Sequence, residues 1–144
     1  MNRSAVLLFA SVSIVAQSHA DDTNELVFAR KAFGEMDSVY SISRQVADRL
    51  PQWNGQTNEP PLSVFAAMQI ARQDILRRGG FEPRDTLEIT GVSLLRSSSD
   101  VDLHLWFYFV DFECGTWSKV QGELCVLMDG TVVTRRCVPA RRKH

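Results

Sequence analysis

A chain of 144 residues has room for one buried core and little more, which excludes a multidomain plan. Sixteen Lys and Arg stand against 17 Asp and Glu, a formal charge of −1, and that near-neutral balance argues against nucleic acid as a partner. Three cysteines fit neither a CxxC redox site nor a zinc module.

The first twenty residues, MNRSAVLLFASVSIVAQSHA, combine a basic start at Arg3, an apolar stretch from Ala5 to Ala16 and a small-x-small ending at Ser18-His19-Ala20. This is the pattern of a secretory signal peptide cleaved after Ala20. The apolar stretch is shorter than the roughly 20 residues that cross a bilayer, so no transmembrane segment is expected after cleavage. The expected location is secreted or periplasmic. Of the 144 residues, 124 would be left, and loss of Arg3 would move the charge from −1 to −2.

From Asp21 to Trp53 the pattern is weak. ELVFARKAF and SVYSISRQVADRL each read as a short helix, the second ending before Pro51 because a residue preceding proline is biased away from helix. PQWNGQTNEPP is turn and linker chemistry, so residues 21–59 are taken as an N-terminal segment with a linker.

SVFAAMQIARQDILRRGG is the clearest helix. Ser63 is a good N-cap, Val64, Ala67, Met68, Ala71 and Ile75 recur at spacings of three and four, and Phe65 and Leu76 widen the stripe. Arg77 and Arg78 suit the C-terminal dipole, and Gly79-Gly80 permit a left-handed exit.

Strands follow. TLEITGVSLLR alternates over its first half, a serine cluster turns the chain, and LHLWFYFVDFEC makes the second strand. ELCVLM is joined through Asp129-Gly130 to TVVTRR, the strongest short hairpin signal, since both central residues of a type I′ turn need positive φ. RRCVPARRKH has five basic residues and no acid; residues 138–144 read as a solubilising tail, with weak contact to an anionic surface as its functional alternative. Cys125 sits inside an apolar run, while Cys114 and Cys137 each end one. The favoured bridge is therefore Cys114 to Cys137, worth about 3 kcal/mol if unstrained, with Cys114 to Cys125 as the rival.

The element order is one helix and then three or four antiparallel strands. That is an α+β plan: one main helix packed on an antiparallel sheet of three to four strands, with a less regular N-terminal segment.

A helix beginning PPLSVFAAMQIA, two strands and a hairpin reading VLMDGTVV resemble the PepSY-type module of exported bacterial proteins, over roughly Pro60 to Val133. The resemblance implies a helix on a curved, cystatin-like sheet over residues 60–137. It also implies a non-catalytic role linked to peptidase inhibition or regulation, with no fixed catalytic residues and no cofactor. The turn before the last strand is shorter than usual in that family, and the cysteines are not a family feature.

Asp100, Asp102 and His104 alternate by two and would share a strand face, the pattern of an oxygen-and-imidazole metal site. They are read instead as a polar strand entrance, since no fourth ligand is apparent. Asp111 and Glu113 also share a face and are suited to general acid and base work, although such pairs are common on exposed strand ends. No Gly-x-Ser-x-Gly turn and no Gly-rich phosphate loop is present, so no catalytic residue is assigned.

The run Leu103 to Cys114 holds five aromatic rings in twelve positions. Leu103, Leu105, Phe107 and Phe109 point one way, and His104, Trp106, Tyr108, Val110 and Phe112 the other. Both faces are apolar, yet one helix covers only one of them. The first set is expected under the helix. The second must meet the N-terminal segment, a second copy of the chain or another protein, or a ligand. The expectation is a binding or regulatory module, with Trp106, Tyr108, Phe112 and Trp117 as its contact set and a protein partner or homodimer on them. The alternative is a small secreted enzyme or ligand-binding protein with a cleft in a cystatin-like sheet, using Asp111, Glu113 or His104.

Overall fold

The computed structural model describes residues 24–56, 59–79, 85–97, 104–116 and 119–140. The expected leader, Asp100, Asp102, Trp117 and residues 141–144 of the expected basic tail lie outside them. The N-terminal segment expected to be irregular or helical is a β-hairpin, β1 Glu25–Phe33 and β2 Met36–Ser43. Phe33 pairs with Met36 across a two-residue turn, and Gly34, at φ 62°, holds the first central position, where such hairpins need positive φ. A single helical turn follows, α1 Arg44–Ala47, capped by the Ser43 hydroxyl, which accepts from the Val46 N–H at 3.3 Å.

The main helix, α2 Val64–Arg78, begins and ends where its caps predict: Ser63 Oγ accepts from Ala66 N–H, and Gly79 closes it at φ 73°. Ala67, Ala71 and Ile75 are buried, but Val64, Phe65 and Leu76 are exposed, so the apolar stripe is narrower than the spacing suggests. Near its end Asp74 is buried and takes ion pairs from Arg77 at 2.6 Å and Arg78 at 2.5 Å. Burial pushes that carboxyl up, but the two arginines outweigh it and hold it below the ordinary carboxylate range.

Then come β3 Leu87–Arg96, β4 Trp106–Cys114, β5 Val120–Leu127, β6 Val132–Thr134 and β7 Arg136–Pro139. The β5–β6 connection is longer than the expected type I′ turn: Leu127 bonds to Thr131 around Met128, Asp129 and Gly130. Among these glycine alone supplies positive φ, at 87°, and the Asp129 carboxylate accepts from the Thr131 N–H.

The expected single helix-backed sheet is corrected to two antiparallel sheets. β3-β4-β5-β6 form one, and β1-β2-β7 form the other. Half of the described structure is strand and 19% is helical. The second sheet arises because the run Val132–Pro139 does not stay in one plane: it leaves β5 after Thr134, turns at Arg135 and pairs with β2 as β7. The stretch that carries the PepSY resemblance forms α2 and β3 to β6, and the second sheet is added by residues on either side of it.

The four-stranded sheet is thereby covered on both faces. On one, α2 buries Tyr108, Val110, Leu124, Val126 and Met128. On the other, Leu26, Phe28, Tyr40 and Ile42 of the hairpin, with Ala47 and Leu50 after it, pack on Leu105, Phe107, Cys125 and Leu127. Edge-to-face rings tie the two sheets together, Phe28 on Phe107 at 4.9 Å and Tyr40 on Phe109 at 5.6 Å. Burial of each such Phe stabilises by about 1.5–3 kcal/mol. Among the described residues no helix is long and apolar enough to cross a membrane.

Candidate functional site

The parity split of the aromatic run holds, but its two faces are exchanged. Phe107 and Phe109 meet the hairpin sheet, and Trp106, Tyr108 and Phe112, expected as a contact surface, lie on the helix side. Tyr108 is 2% exposed and its hydroxyl donates to the Leu62 carbonyl at 2.7 Å, pinning the approach to α2. Trp106 stands edge-on to Trp53 at 4.8 Å and against Gly55. The stretch taken as linker is therefore packed on the sheet. Phe112 lies over Gly122 of the neighbouring strand, where a Cβ would fall 2.2 Å from its ring. All three pack on the helix face, and Phe112 also lines the cleft between the sheets.

The cysteines are unpaired. Cys114 is buried at the end of β4, Cys125 is buried between the sheets, and Cys137 is exposed on β7, so the expected Cys114–Cys137 bridge is not formed. Strand β7 belongs to the hairpin sheet, which places Cys137 and Cys114 in different sheets. Burial pushes both the Cys114 and Cys125 thiols above their ordinary value, further for Cys125.

A cleft of about 610 Å³ lies where the two sheets part. Register builds it from two facing rows. In the hairpin sheet Lys31 pairs with Ser38 and Ser38 with Cys137, so three strands present one line of side chains. In the other sheet Gly91 pairs with Asp111 and Asp111 with Glu123. Arg135, at the point where the chain changes sheets, joins them, with Met36, Thr90, Phe112 and Gln121 around the rim.

Glu123 is the hub of this cleft. It accepts from Lys31 Nζ at 2.6 Å and from the Tyr40 hydroxyl at 2.9 Å, and lies 3.9 Å from an Arg135 nitrogen. Its side chain is only 10% exposed, so these contacts act in a partly desolvated setting. Lys31 also lies 5.0 Å over the Phe109 ring. The Glu123 hydrogen bond, outweighing burial, holds the Lys31 ammonium above its ordinary value. Tyr40 is fully buried; burial first, then the Glu123 carboxylate, drives its phenol far above the ordinary range.

Asp111 differs from Glu123. It is half-buried, it faces the same cleft, and it makes no hydrogen bond or ion pair with another described residue. The bulge at Thr90 and the missing side chain of Gly91 leave room beside it: a Cβ on Gly91 would come within 3.3 Å of an Asp111 carboxylate oxygen.

Of the acid–base candidates, only Asp111 enters the cleft. Glu113 lies two positions further along β4 and accepts from Lys119 at 2.9 Å and Gln121 at 3.1 Å, hydrogen bonds that hold its carboxyl low. His104 is exposed before the opposite end of β4. The three do not converge. Lys31, Ser38, Glu123 and Arg135 were not singled out by sequence reasoning, and Cys137 was singled out only as a disulfide partner, because the fold alone brings these residues together. Compared with known protein families, with curated proteins and with solved structures, the chain matches none of them.

Proposed function

We propose that the chain is an exported, non-enzymatic binding module that takes a small polar ligand in the cleft between its two sheets. The reading rests on one observation: two facing rows of polar side chains enclose a space of ligand size, and within it Asp111 is uncommitted. A structural ion-pair cluster would satisfy its own members, as Lys31, Tyr40 and Glu123 do. A half-buried carboxylate with no hydrogen-bonding or ion-pair partner among the described residues is instead set to receive a donor from outside. Of the aromatic rings of β4 only Phe112 lines the cleft, so recognition moves from the sheet face to the polar mouth between the sheets.

Amide-shift mapping by nuclear magnetic resonance tests this with three sets of small compounds, monocations, monoanions and zwitterions. Perturbed amides are expected to cluster at Lys31, Ser38, Cys137, Gly91, Asp111 and Glu123. Asp111→Asn should weaken that response, and Glu113→Gln, outside the cleft, should leave it unchanged. Perturbations confined to other parts of the molecule, or none from any set, would remove the cleft as the binding site.

A further inference from the structure

The charges of the cleft point beyond a generic polar ligand, and an inference about ligand class rests on the cleft being the binding site. Four charged groups line it, Lys31, Asp111, Glu123 and Arg135. Lys31 and Glu123 neutralise each other at 2.6 Å, and Tyr40 takes the second carboxylate oxygen of Glu123. Two groups are left with capacity. Asp111 has no hydrogen-bonding or ion-pair partner among the described residues, and Arg135 has only a 3.9 Å approach to Glu123 that is too long for a hydrogen bond. They have opposite sign, line the same cleft and act on the same Lys31, Asp111 raising and Arg135 lowering its proton affinity.

A monovalent ligand would satisfy one of these groups and leave its own field opposed by the other. A molecule with one ammonium and one carboxylate satisfies both and enters the cleft with no net charge to desolvate. Ser38, Thr90 and Gln121 on the walls supply donors and acceptors for a polar middle, and Met36 and Phe112 an apolar contact. The geometry points to a small zwitterion of the amino-acid or short-peptide type, its ammonium on Asp111 and its carboxylate on Arg135.

Isothermal titration with the dipeptide alanyl-phenylalanine, its N-acetyl derivative and its C-terminal amide separates the two ends. Wild type should bind the free dipeptide at least about tenfold more tightly than either blocked form, the worth of one charge-assisted hydrogen bond. In Asp111→Asn, N-acetylation should cease to matter while amidation still does; in Arg135→Gln the dependence should invert. Thermal melts of both variants should match wild type, since neither side chain holds a hydrogen bond within the described fold. Equal binding of free and blocked forms, with amide shifts still at the cleft, would overturn the zwitterion and leave the cleft reading standing. Absence of binding by all three would also overturn it, and the cleft would then be judged by the broader amide mapping alone.

Discussion

Tyr40 shows how one hydroxyl links the core to the cleft. Its ring is fully buried against Phe109 while its oxygen reaches the Glu123 carboxylate. Tyr40→Phe keeps the ring and removes the donor, and should cost about 1.5 kcal/mol of unfolding free energy in urea titrations. The phenol also dictates behaviour in base. The fold favours the neutral form, so Tyr40 contributes fully below about pH 10, the ordinary phenol value, and that contribution drains away as pH rises above it. Cys125 has the same sign, with its loss starting from about pH 9, the ordinary thiol value. Wild-type stability is therefore expected to fall above about pH 9. The combined Tyr40→Phe, Cys125→Ala variant should show a shallower decline, read from urea midpoints between neutral and strongly alkaline pH. A decline of equal steepness in both proteins would show that other groups set the alkaline limit.

The pair β4–β5 depends on a ring filling the place of a missing side chain. Gly122→Ala would put a methyl 2.2 Å from the Phe112 ring and should cost about 1–3 kcal/mol. Shrinking the ring in Phe112→Leu should recover part of that loss, a coupling that a double-mutant cycle measures as a non-additive term. Such cross-strand fits explain why some elements could be read from the chain and others not. Helix α2 carries its own start and stop in Ser63 and Gly79, and β3 to β5 carry apolar runs bounded by turns. The hairpin β1–β2 was obscured twice. The bulge between Val27 and Ala29 breaks the alternation of β1. Val39, Ile42, Val46 and Leu50 fall at spacings of three and four that imitate a helix, although the first two belong to a strand. Parity separated the rings of β4 correctly, but which set meets the helix depends on the side to which the chain crosses after Gly79, and alternation carries no record of that. Of the cleft, Asp111 and Phe112 were legible as candidate site residues and Cys137 only as a disulfide partner, whereas Lys31, Ser38 and Cys137 become neighbours through pairing alone.

The two sheets close over each other by contacts of very different reach. β3, β4, β5 and β6 are successive in sequence and pair with adjacent segments, whereas β7 pairs with β2 across the intervening helix and sheet. Loop-closure entropy makes the second kind slow to form. Pulsed hydrogen exchange during refolding should protect amides of β4 and β5 before those shared by β2 and β7. Simultaneous protection would show that the sheets form as one unit.

The turn of the chain at Arg135 has a further consequence in the order of synthesis. Strand β2 is made early and acquires its second neighbour only when residues 136–139 arrive. Until then one side of β2 offers unpaired backbone groups, the kind of edge on which extended segments of other chains can settle. During that interval the unfinished molecule is more vulnerable to misassembly than the completed one. A shortened chain ending at Arg135 would keep that edge indefinitely, trading a transient hazard of biogenesis for a permanent one.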